Sequence, residues 1–459
     1  MASILPFRAY RYNLARVRPE DVLTQPYDKI SPAMYARYLE RSPYNLARLI
    51  LPAPPAEAHG VAGMAEPRAY EAVAERMKAW IQDGIMQRDR GAAVYPYRQS
   101  FIPPGGSQRL TRQGFIALGR LEDYDRRVVF RHEQTLAGPK ADRLALLRAT
   151  HTHFGQVFML YSDPGLRFEA ELWEHARQPL FELEDEYGVQ HSLYRVIEPE
   201  VIERLQTAMR NRELVIADGH HRYETALAWR NEQARQRGND SPAGAPPAEA
   251  GWNYAMMTFI NLDAPGLVVL PTHRLVSGLT GFNAAKFLAA VGAHLAMVKL
   301  ELAPEKWAEA WPQIEAAFEA RHGGTTIAAA ALAGESGVYL FRWKAENDRE
   351  RLLESYPAIQ RQLDVVALHE LLLHRGLGIT SEDVRAQRYI GYEREPRAAL
   401  AQVARGEAQA AFLLRPLAPA VVRDVAIAGG VMPQKSTDFY PKLLSGLTLY
   451  CVEQPEHLT

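Results

Sequence analysis

The chain has 459 residues, of which 47% are hydrophobic, and this is enough apolar material for the cores of two or three domains. Lys and Arg number 53 against 54 Asp and Glu, so the net charge near zero provides no overall basic field for nucleic acid or anionic lipid. The single cysteine, Cys451, excludes an internal disulfide framework, and no stretch approaches the roughly 18 apolar residues of a membrane span, so we expect a cytoplasmic protein without nucleic-acid or membrane partners.

Several pairs of apolar runs joined by turn residues predict antiparallel hairpins. In chain order, three of the predicted turns lie at residues 123–126, 263–266 and 334–337. Helical periods between these pairs predict packed helices, so the fold class is expected to be α+β, with mixed, largely antiparallel sheets. We expect an N-terminal domain of residues 1–275 that carries the main site, and a C-terminal α+β domain of residues 276–459.

Two segments are rich in Pro, Ala and Gly and contain little to bury. They span residues 51–67 and 239–251. This composition predicts flexible surface insertions.

Residues 213–238 form a predicted strand-turn-helix unit. The strand formers "ELVIA" lead to Asp218-Gly219, a dipeptide typical of turns, and a helical pattern begins at His220. Unpaired backbone N–H groups and the helix dipole favour an anion at such a helix start. Gly219 permits close approach of a ligand to the backbone, and Arg222 offers a planar two-pronged donor. The turn therefore predicts a phosphate cradle.

The adjacent residues His220 and His221 are candidate catalytic groups on this turn. Consecutive helical side chains point about 100° apart, so the two are not expected to chelate one metal together. We expect one to contact a transferring phosphoryl group and the other to orient a neighbour or a nucleotide. Asp218 is expected to hold Mg²⁺ or to accept a substrate proton. The alternative is that Asp218 only caps the helix and the histidines are ordinary surface residues.

The block "ADGHHRYETAL" at residues 217–227 is similar to the Asp-Gly-His-His-Arg signature of the ParB/sulfiredoxin-like free serine kinases, which phosphorylate serine using a nucleotide. Over nearly its whole length, the chain also resembles the prokaryotic family known as domain of unknown function 1015. The other blocks that carry this second resemblance are "QPYDKIS" (25–31), "SPYNLARLILP" (42–52), "RHEQTLAGPKADRLALLRAT" (131–150), "LPTHRLV" (270–276) and "MPQKSTDFYPKLLSGL" (432–447).

The kinase resemblance implies a ParB/sulfiredoxin-like element around residues 213–238. It also implies nucleotide phosphate binding and catalysis by four residues of the turn: Asp218, His220, His221 and Arg222. The kinases use an acidic general base from an earlier segment, and the candidates for it in this chain are Glu133 and Asp28.

Two further segments carry candidate phosphate-binding residues. In "FRHEQTLAGPKADR", expected to connect a strand to a helix, Lys140 and Arg143 are placed to meet phosphate oxygens. The alternative is a solvated loop in which Asp142 caps the helix. In "MPQKSTDFYPKLLSGL", Lys435 and Lys442 stand near hydroxyl residues and are suited to gripping phosphate, although the segment lacks the Walker spacing. An ordered surface loop is the alternative there.

A pair of histidines two residues apart, His151 and His153, lies on one face if the chain is extended, and that arrangement is usable for a metal. The simpler interpretation is a helix C-terminus lined with histidines that favour its dipole.

These residues favour a nucleotide-dependent phosphotransferase acting on a small hydroxylated metabolite, with Mg²⁺ and ADP or ATP as cofactors. The resemblance makes serine or a serine-like amino acid the expected acceptor. The same groups could release phosphate from a phosphorylated amino acid if water replaced the acceptor. The alternatives are a nucleotide-binding ParB-like regulator without catalysis, and a metal-dependent hydrolase that uses the histidine-rich turns.

Overall fold

The computed structural model describes residues 1–55, 64–133, 137–236, 250–320, 325–345, 347–433 and 435–452. The chain divides into two compact units. The first unit comprises Met1–Arg131, Thr135–Val268 and Pro441–Thr459, and the second comprises His132–Gln134 and Val269–Tyr440. Residues 441–452, which the sequence suggests for the C-terminal domain, cluster with the first unit. Residues 56–63 of the predicted insertion at 51–67 and residues 239–249 of the one at 239–251 lie outside the described residues.

The strands are, in chain order, β1 (Ile4–Leu5), β2 (Tyr10–Tyr12), β3 (Met86–Arg88), β4 (Tyr95–Phe101), β5 (Leu110–Arg120), β6 (Val129–Phe130), β7 (Thr152–His153), β8 (Val157–Tyr161), β9 (Phe181–Glu184), β10 (Gln190–Leu193), β11 (Leu214–Asp218), β12 (Tyr254–Asn261), β13 (Val268–Leu270), β14 (His273–Val276), β15 (Leu295–Leu300), β16 (Thr326–Leu332), β17 (Val338–Trp343), β18 (Ile390–Glu393), β19 (Ala410–Leu413), β20 (Asp438–Tyr440) and β21 (Tyr450–Cys451).

The α-helices are α1 (Pro19–Val22), α2 (Pro32–Arg41), α3 (Ala47–Ile50), α4 (Pro67–Gln82), α5 (Ala137–Thr150), α6 (Arg167–His175), α7 (Pro199–Met209), α8 (His220–Gln236), α9 (Ala284–Gly292), α10 (Trp311–Glu319), α11 (Asp348–Leu352), α12 (Ala358–Arg361), α13 (Asp364–Ala367), α14 (Ser381–Arg385), α15 (Pro396–Ala404) and α16 (Pro419–Ile427). Short 3₁₀ turns occur at Tyr27–Lys29, Tyr124–Arg126, Gly251–Asn253 and Pro304–Lys306, and a π-helical segment at Leu368–Gly376.

The first unit is built on one large sheet with the strand order β6-β11-β8-β12-β5-β4-β10-β9, and β1 pairs with β5. Most neighbours are antiparallel, whereas the pairs β6/β11 and β8/β12 are parallel. The last strand, β21, pairs with β7, and this pairing ties the end of the described chain to the first unit. The sheet confirms an α+β fold with largely antiparallel pairing.

The second unit contains an antiparallel sheet with the strand order β15-β17-β16-β19-β14-β18. Its core joins apolar residues of the strands, such as Leu340, to Ile314 of α10, Leu400 of α15 and Trp307, which follows the 3₁₀ turn Pro304–Lys306. Each of these four side chains is essentially withdrawn from solvent. The second unit therefore has its own hydrophobic core, as a domain requires.

Of the three predicted hairpins, one is confirmed and two are wrong. The turn at 334–337 joins the antiparallel strands β16 and β17. At 123–126, however, β5 and β6 do not pair, because β12 occupies one edge of β5 while β4 and β1 occupy the other. Strand β6 runs parallel to β11 instead. Similarly, β12 lies between β5 and β8, so the strand after turn 263–266 pairs with β20.

The predicted strand-turn-helix unit is confirmed, with β11 ending at Asp218 and α8 beginning at His220. Leu214 and Ile216 of the strand pack in the same core cluster as Tyr223 and Leu227 of the helix. This shared core fixes the start of α8 against the end of β11. The polar residues of the turn are therefore held on a rigid support.

Candidate functional site

The turn between β11 and α8 depends on Gly219 for two reasons. Its φ of 89° lies in the left-handed region, which side-chain-bearing residues rarely adopt. An added Cβ would also lie 2.9 Å from Nε and 3.0 Å from Cζ of Arg222. The Arg222 guanidinium therefore folds back over the glycine and covers the turn.

Asp218 lies among several basic side chains of the first unit. Arg222 Nη2 donates to Asp218 Oδ2 at 3.1 Å, and Lys442 Nζ lies 3.8 Å from Asp218 Oδ1. Burial alone would raise the pKa of Asp218, but the nearby cations Lys442, Arg222 and Lys29, with a smaller contribution from His220, outweigh it and hold the pKa well below its usual value. The carboxylate is therefore ionised at every physiological pH.

The backbone at residues 441 and 442 accepts hydrogen bonds from two side chains, Gln99 of β4 and Arg112 of β5. These two residues are directly paired across the two strands. Gln99 Nε2 donates to the Lys442 carbonyl at 2.8 Å, and Arg112 donates to the Pro441 carbonyl. Arg112 Nε also donates to Gln99 Oε1 at 3.1 Å. Both side chains are only 1% exposed. Because buried polar groups need partners, this network fixes the backbone that presents the Lys442 ammonium to Asp218.

The two histidines of the turn differ in exposure. His220 is buried and lowers the pKa of Asp218, whereas His221 is half-buried. Different surroundings are expected of consecutive helical residues. Their separate catalytic roles stay predictions.

A pocket of about 560 Å³, measured with its open mouth, adjoins the turn. Its apolar lining comprises Pro26, Tyr27, Ile50, Leu146, Leu147 and Phe154. Its polar lining comprises Arg143, Thr152, His153, Arg222, Thr225 and Ser445. Arg222 is therefore shared, since it forms part of the pocket wall and also binds Asp218.

Lys140 and Arg143 lie inside helix α5 and not on the expected connection between a strand and a helix, and the alternative in which Asp142 caps the helix is also wrong. The helix begins five residues before Asp142, at Ala137. The Asp142 carboxylate instead accepts from Tyr70 at 2.6 Å and from Arg143 Nε at 2.8 Å.

Lys140 and Arg143 each contact other groups of the first unit. Arg143 Nη1 donates to the Ile50 carbonyl at 2.7 Å, and its guanidinium stacks 4.3 Å from the Tyr27 ring centre. Lys140 Nζ lies 2.9 Å from Glu224 Oε2 of α8. Arg143 thus builds the wall of the pocket, and Lys140 joins the starts of α5 and α8.

Glu133 and Lys435 belong to the second unit and are neighbours there. The backbone N–H of Lys435 donates to Glu133 Oε1 at 3.3 Å, and Glu133 forms a bridge with Met432. The Lys435 carbonyl accepts from Arg274 Nη1 at 3.1 Å. The side chain of Lys435 is exposed. Catalysis by Glu133 and phosphate binding by Lys435 stay predictions.

Two residues of the "QPYDKIS" block, Tyr27 and Lys29, take part in the site although no sequence pattern singles them out. Both lie on the 3₁₀ turn Tyr27–Lys29, which also carries the candidate base Asp28. Tyr27 lines the pocket, and the charge of Lys29 acts on Asp218. The block marks the family, but no local pattern indicates that its turn folds against residue 218.

His151 and His153 lie where α5 ends and β7 begins. The backbone N–H of His151 donates to the Leu147 carbonyl, so this residue closes the helix, and its φ is 49°. The ring of His153 lies against Tyr450 and lines the pocket. Burial lowers the pKa of His153 to about 4, so its imidazole is neutral at pH 7.

In the described part of the chain, no group of three or more His, Cys, Asp or Glu side chains is arranged to hold a metal ion. Asp218 as a ligand of Mg²⁺ therefore stays a prediction. A search of the described helices finds none that is both long and apolar enough to cross a membrane.

The fold is α+β, and basic side chains surround Asp218 at the turn where β11 ends and α8 begins. The chain belongs to the family described as "Protein of unknown function (DUF1015)", whose profile matches residues 4–366. A comparison with curated proteins finds no match.

Solved structures that are similar to this chain share little sequence with it. A conserved hypothetical protein from Pyrococcus furiosus is 13% identical, covering 72% of this chain and 94% of that chain with a TM-score of 0.32. A free serine kinase in complex with AMP is 12% identical over 72% and 90% of the two chains, with a TM-score of 0.32. SbnI from Staphylococcus aureus, with a C-terminal truncation, is 10% identical over 72% and 85%, with a TM-score of 0.31.

Proposed function

We propose that this protein is a nucleotide-dependent phosphotransferase of the cytoplasm that acts on the hydroxyl group of a small metabolite. The observation that carries the proposal is the group of charges around Asp218. One ionised carboxylate is surrounded by the positive charges of Lys442, Arg222 and Lys29 at the start of an α-helix. The surplus positive charge and the helix N-terminus both favour a phosphate chain.

The basic groups supply what phosphoryl transfer mainly needs, which is positioning and neutralisation of charge. Arg222 and Lys442 flank Asp218 on its two carboxylate oxygens. Asp218 fits the hard oxygen donor that Mg²⁺ prefers, in sites where one or two carboxylates and the substrate phosphates hold the ion. A bound Mg²⁺ would supply further neutralisation of the phosphate oxygens.

The proposed reaction is a single displacement. The acceptor hydroxyl oxygen forms a bond to the terminal phosphorus of ATP or ADP, while the bond from that phosphorus to the bridging oxygen breaks and its electron pair leaves with the shortened nucleotide. A carboxylate takes the hydroxyl proton. Asp28 and Glu133 are the proposed bases, and Asp28 lies on the same turn as Lys29. Serine is the proposed acceptor because of the resemblance of the Asp218–Arg222 block to free serine kinases.

The direct test is formation of phosphoserine from serine with ATP or ADP and Mg²⁺, followed by ³¹P NMR. Turnover should be lost in Asp218→Asn, while Asp424→Asn, a change to a surface carboxylate of α16, should retain it.

Asp28→Asn and Glu133→Gln identify the base, since only the variant of the true base should lose turnover without losing nucleotide affinity. Nucleotide binding without turnover for any hydroxylated acceptor would contradict the proposal and favour the ParB-like regulator. Stoichiometric zinc and hydrolysis would favour the metal-dependent hydrolase.

A further inference from the structure

The pocket that shares Arg222 with the turn has a lining of a different character from the turn itself. Charged groups surround Asp218, whereas aliphatic and aromatic side chains line most of the pocket, including Tyr27, Leu147 and Phe154. The pocket is open to solvent on one side, and Arg222 forms part of its wall. A ligand that spans both places therefore needs an anionic end and an uncharged, largely apolar end.

Arg143, a charged residue of the pocket wall, already makes hydrogen bonds and a stacking contact within the protein. Arg143 donates to the Asp142 carboxylate and to the Ile50 carbonyl, and it stacks on Tyr27. The imidazole of His153 is neutral at pH 7. The pocket beyond Arg222 therefore suits a group that carries no net charge.

Hydroxyl groups in the wall offer hydrogen bonds to such a group. Thr225 lines the pocket and is 4% exposed, and its Oγ1 has no hydrogen-bond partner among the residues that the structure describes. A buried hydroxyl without a partner is unfavourable, so a hydrogen bond from a polar atom of a bound ligand would stabilise it. Ser445 and His153 add further groups that can donate or accept.

From this arrangement we infer that the pocket beside Arg222 binds the nucleoside part of the phosphate donor, with the base against the apolar wall and the phosphates at the Asp218 turn. The inference rests on the proposed function and adds the location and chemistry of the donor site. Arg222 is the link, because its guanidinium lines the pocket and lies 3.1 Å from the Asp218 carboxylate. A planar base has the apolar faces and polar edge that this lining complements.

Replacing Gly155, which lines the pocket, by a larger residue should fill the pocket. A Cβ added there would lie 3.4 Å from Arg222 Nη1 and 3.5 Å from Ser445 Oγ, which is ordinary contact. Gly155→Leu should occupy much of the pocket, and Gly155→Ala narrows it with less risk to the fold. Gly91→Ala is the matched control, since its added carbon would meet only Arg195 Nη2, at 3.7 Å.

The experiment is isothermal titration of the full chain with ADP, adenosine and inorganic pyrophosphate. Wild-type protein should bind ADP more tightly than pyrophosphate. Gly155→Leu should weaken ADP and adenosine by roughly tenfold or more while changing pyrophosphate by less than about twofold, and Gly155→Ala should act in the same direction more weakly. Gly91→Ala should match the wild type.

The outcomes separate this inference from the proposed function. If wild-type protein binds pyrophosphate as tightly as ADP, or if filling the pocket leaves ADP affinity unchanged, the pocket assignment is overturned while the phosphate site at the turn stands. If filling the pocket weakens ADP and pyrophosphate equally, the assignment is overturned as well. If wild-type protein binds neither ligand, the proposed function fails, and the pocket assignment fails with it.

Discussion

Lys442 Nζ lies 3.8 Å from Asp218 Oδ1, although the chain passes through almost the whole second unit between these two residues. The pair is partly withdrawn from water, with the Lys442 side chain 10% and the Asp218 side chain 25% exposed. Such burial strengthens charge interactions. The return of residues 441–452 to the first unit therefore completes the site that β11 and α8 begin.

Replacing Lys442 by Met should weaken pyrophosphate binding by about 1.5–3 kcal/mol, the usual contribution of a charged hydrogen bond. The unbranched Met side chain retains much of the lysine stem. Titration calorimetry at low salt measures the effect, and Lys286→Met, on the exposed face of α9, is the control. If the Lys442 variant binds pyrophosphate as tightly as the wild type, this lysine does not contribute to phosphate binding.

Arg222→Ala should also weaken phosphate or nucleotide binding by about 1.5–3 kcal/mol, because it removes a planar donor from the turn. Arg222→Lys should recover little of the loss, since an ammonium cannot reproduce the two-pronged geometry. The matched control is Arg235→Ala, an exposed arginine on the same helix. Full recovery by lysine would show that only the charge matters.

Gly219→Ala should destabilise the first unit by about 1–2 kcal/mol through backbone strain alone. It should also displace the Arg222 guanidinium, which a Cβ would approach to 2.9 Å. Gly84→Ala separates the two effects, because Gly84 has a φ of 69° and its added carbon would meet nothing within 4 Å. Phosphate affinity should fall only in the Gly219 variant, and a fall in both would point to a general loss of fold.

Gln99→Leu should weaken the support of the backbone that positions Lys442. The change leaves the Lys442 carbonyl without this donor and removes an acceptor from Arg112, so we expect a loss of about 1–3 kcal/mol in the free energy of unfolding. Phosphate affinity should fall as well, when measured well below the melting temperature. Thr258→Val is the control, because Thr258 is buried in the same sheet and its Oγ1 has no partner among the described residues. An unchanged phosphate affinity in the Gln99 variant would show that this hydrogen-bond network contributes to stability but not to phosphate binding.

A buried histidine, His273, and a half-buried one, His369, predict a pH dependence of stability in the second unit. Burial, aided by the charge of Arg274, lowers the pKa of His273 and of His369 to about 3. In the unfolded chain both titrate near their ordinary value of about 6.5. Between these values the unfolded state binds more protons, so the free energy of unfolding should fall as pH drops from about 6.5 towards 3.

The variant His369→Phe tests this dependence by urea unfolding at a series of pH values. Stability should fall less steeply below pH 6.5 than in the wild type, because a group that protonates only on unfolding is gone. His374→Phe, an exposed position in the same helical segment, is the control for losing any imidazole. Parallel pH curves for the wild type and His369→Phe would contradict the assignment.

The elements that the sequence predicted best are those governed by local chemistry. The step from the strand ending at Asp218 to the helix starting at His220 follows from strand formers, a turn dipeptide and a helical pattern in direct succession. The hairpin at 334–337 formed for the same reason. The hairpins at 123–126 and 263–266 failed because strands β5 and β12 had partners distant in sequence on both edges.

The sequence by itself determined the α+β class, the strand-turn-helix unit at Asp218–Arg222 and the family to which the chain belongs, because each depends on short patterns and on composition. Only the tertiary structure decided which other side chains meet that turn. Lys29 and Lys442 reach Asp218 through packing between segments far apart in sequence, and Tyr27, Leu147 and Phe154 enclose a pocket for the same reason. Contacts of this kind depend on how strands and helices pack in three dimensions, and no periodicity within one segment encodes them.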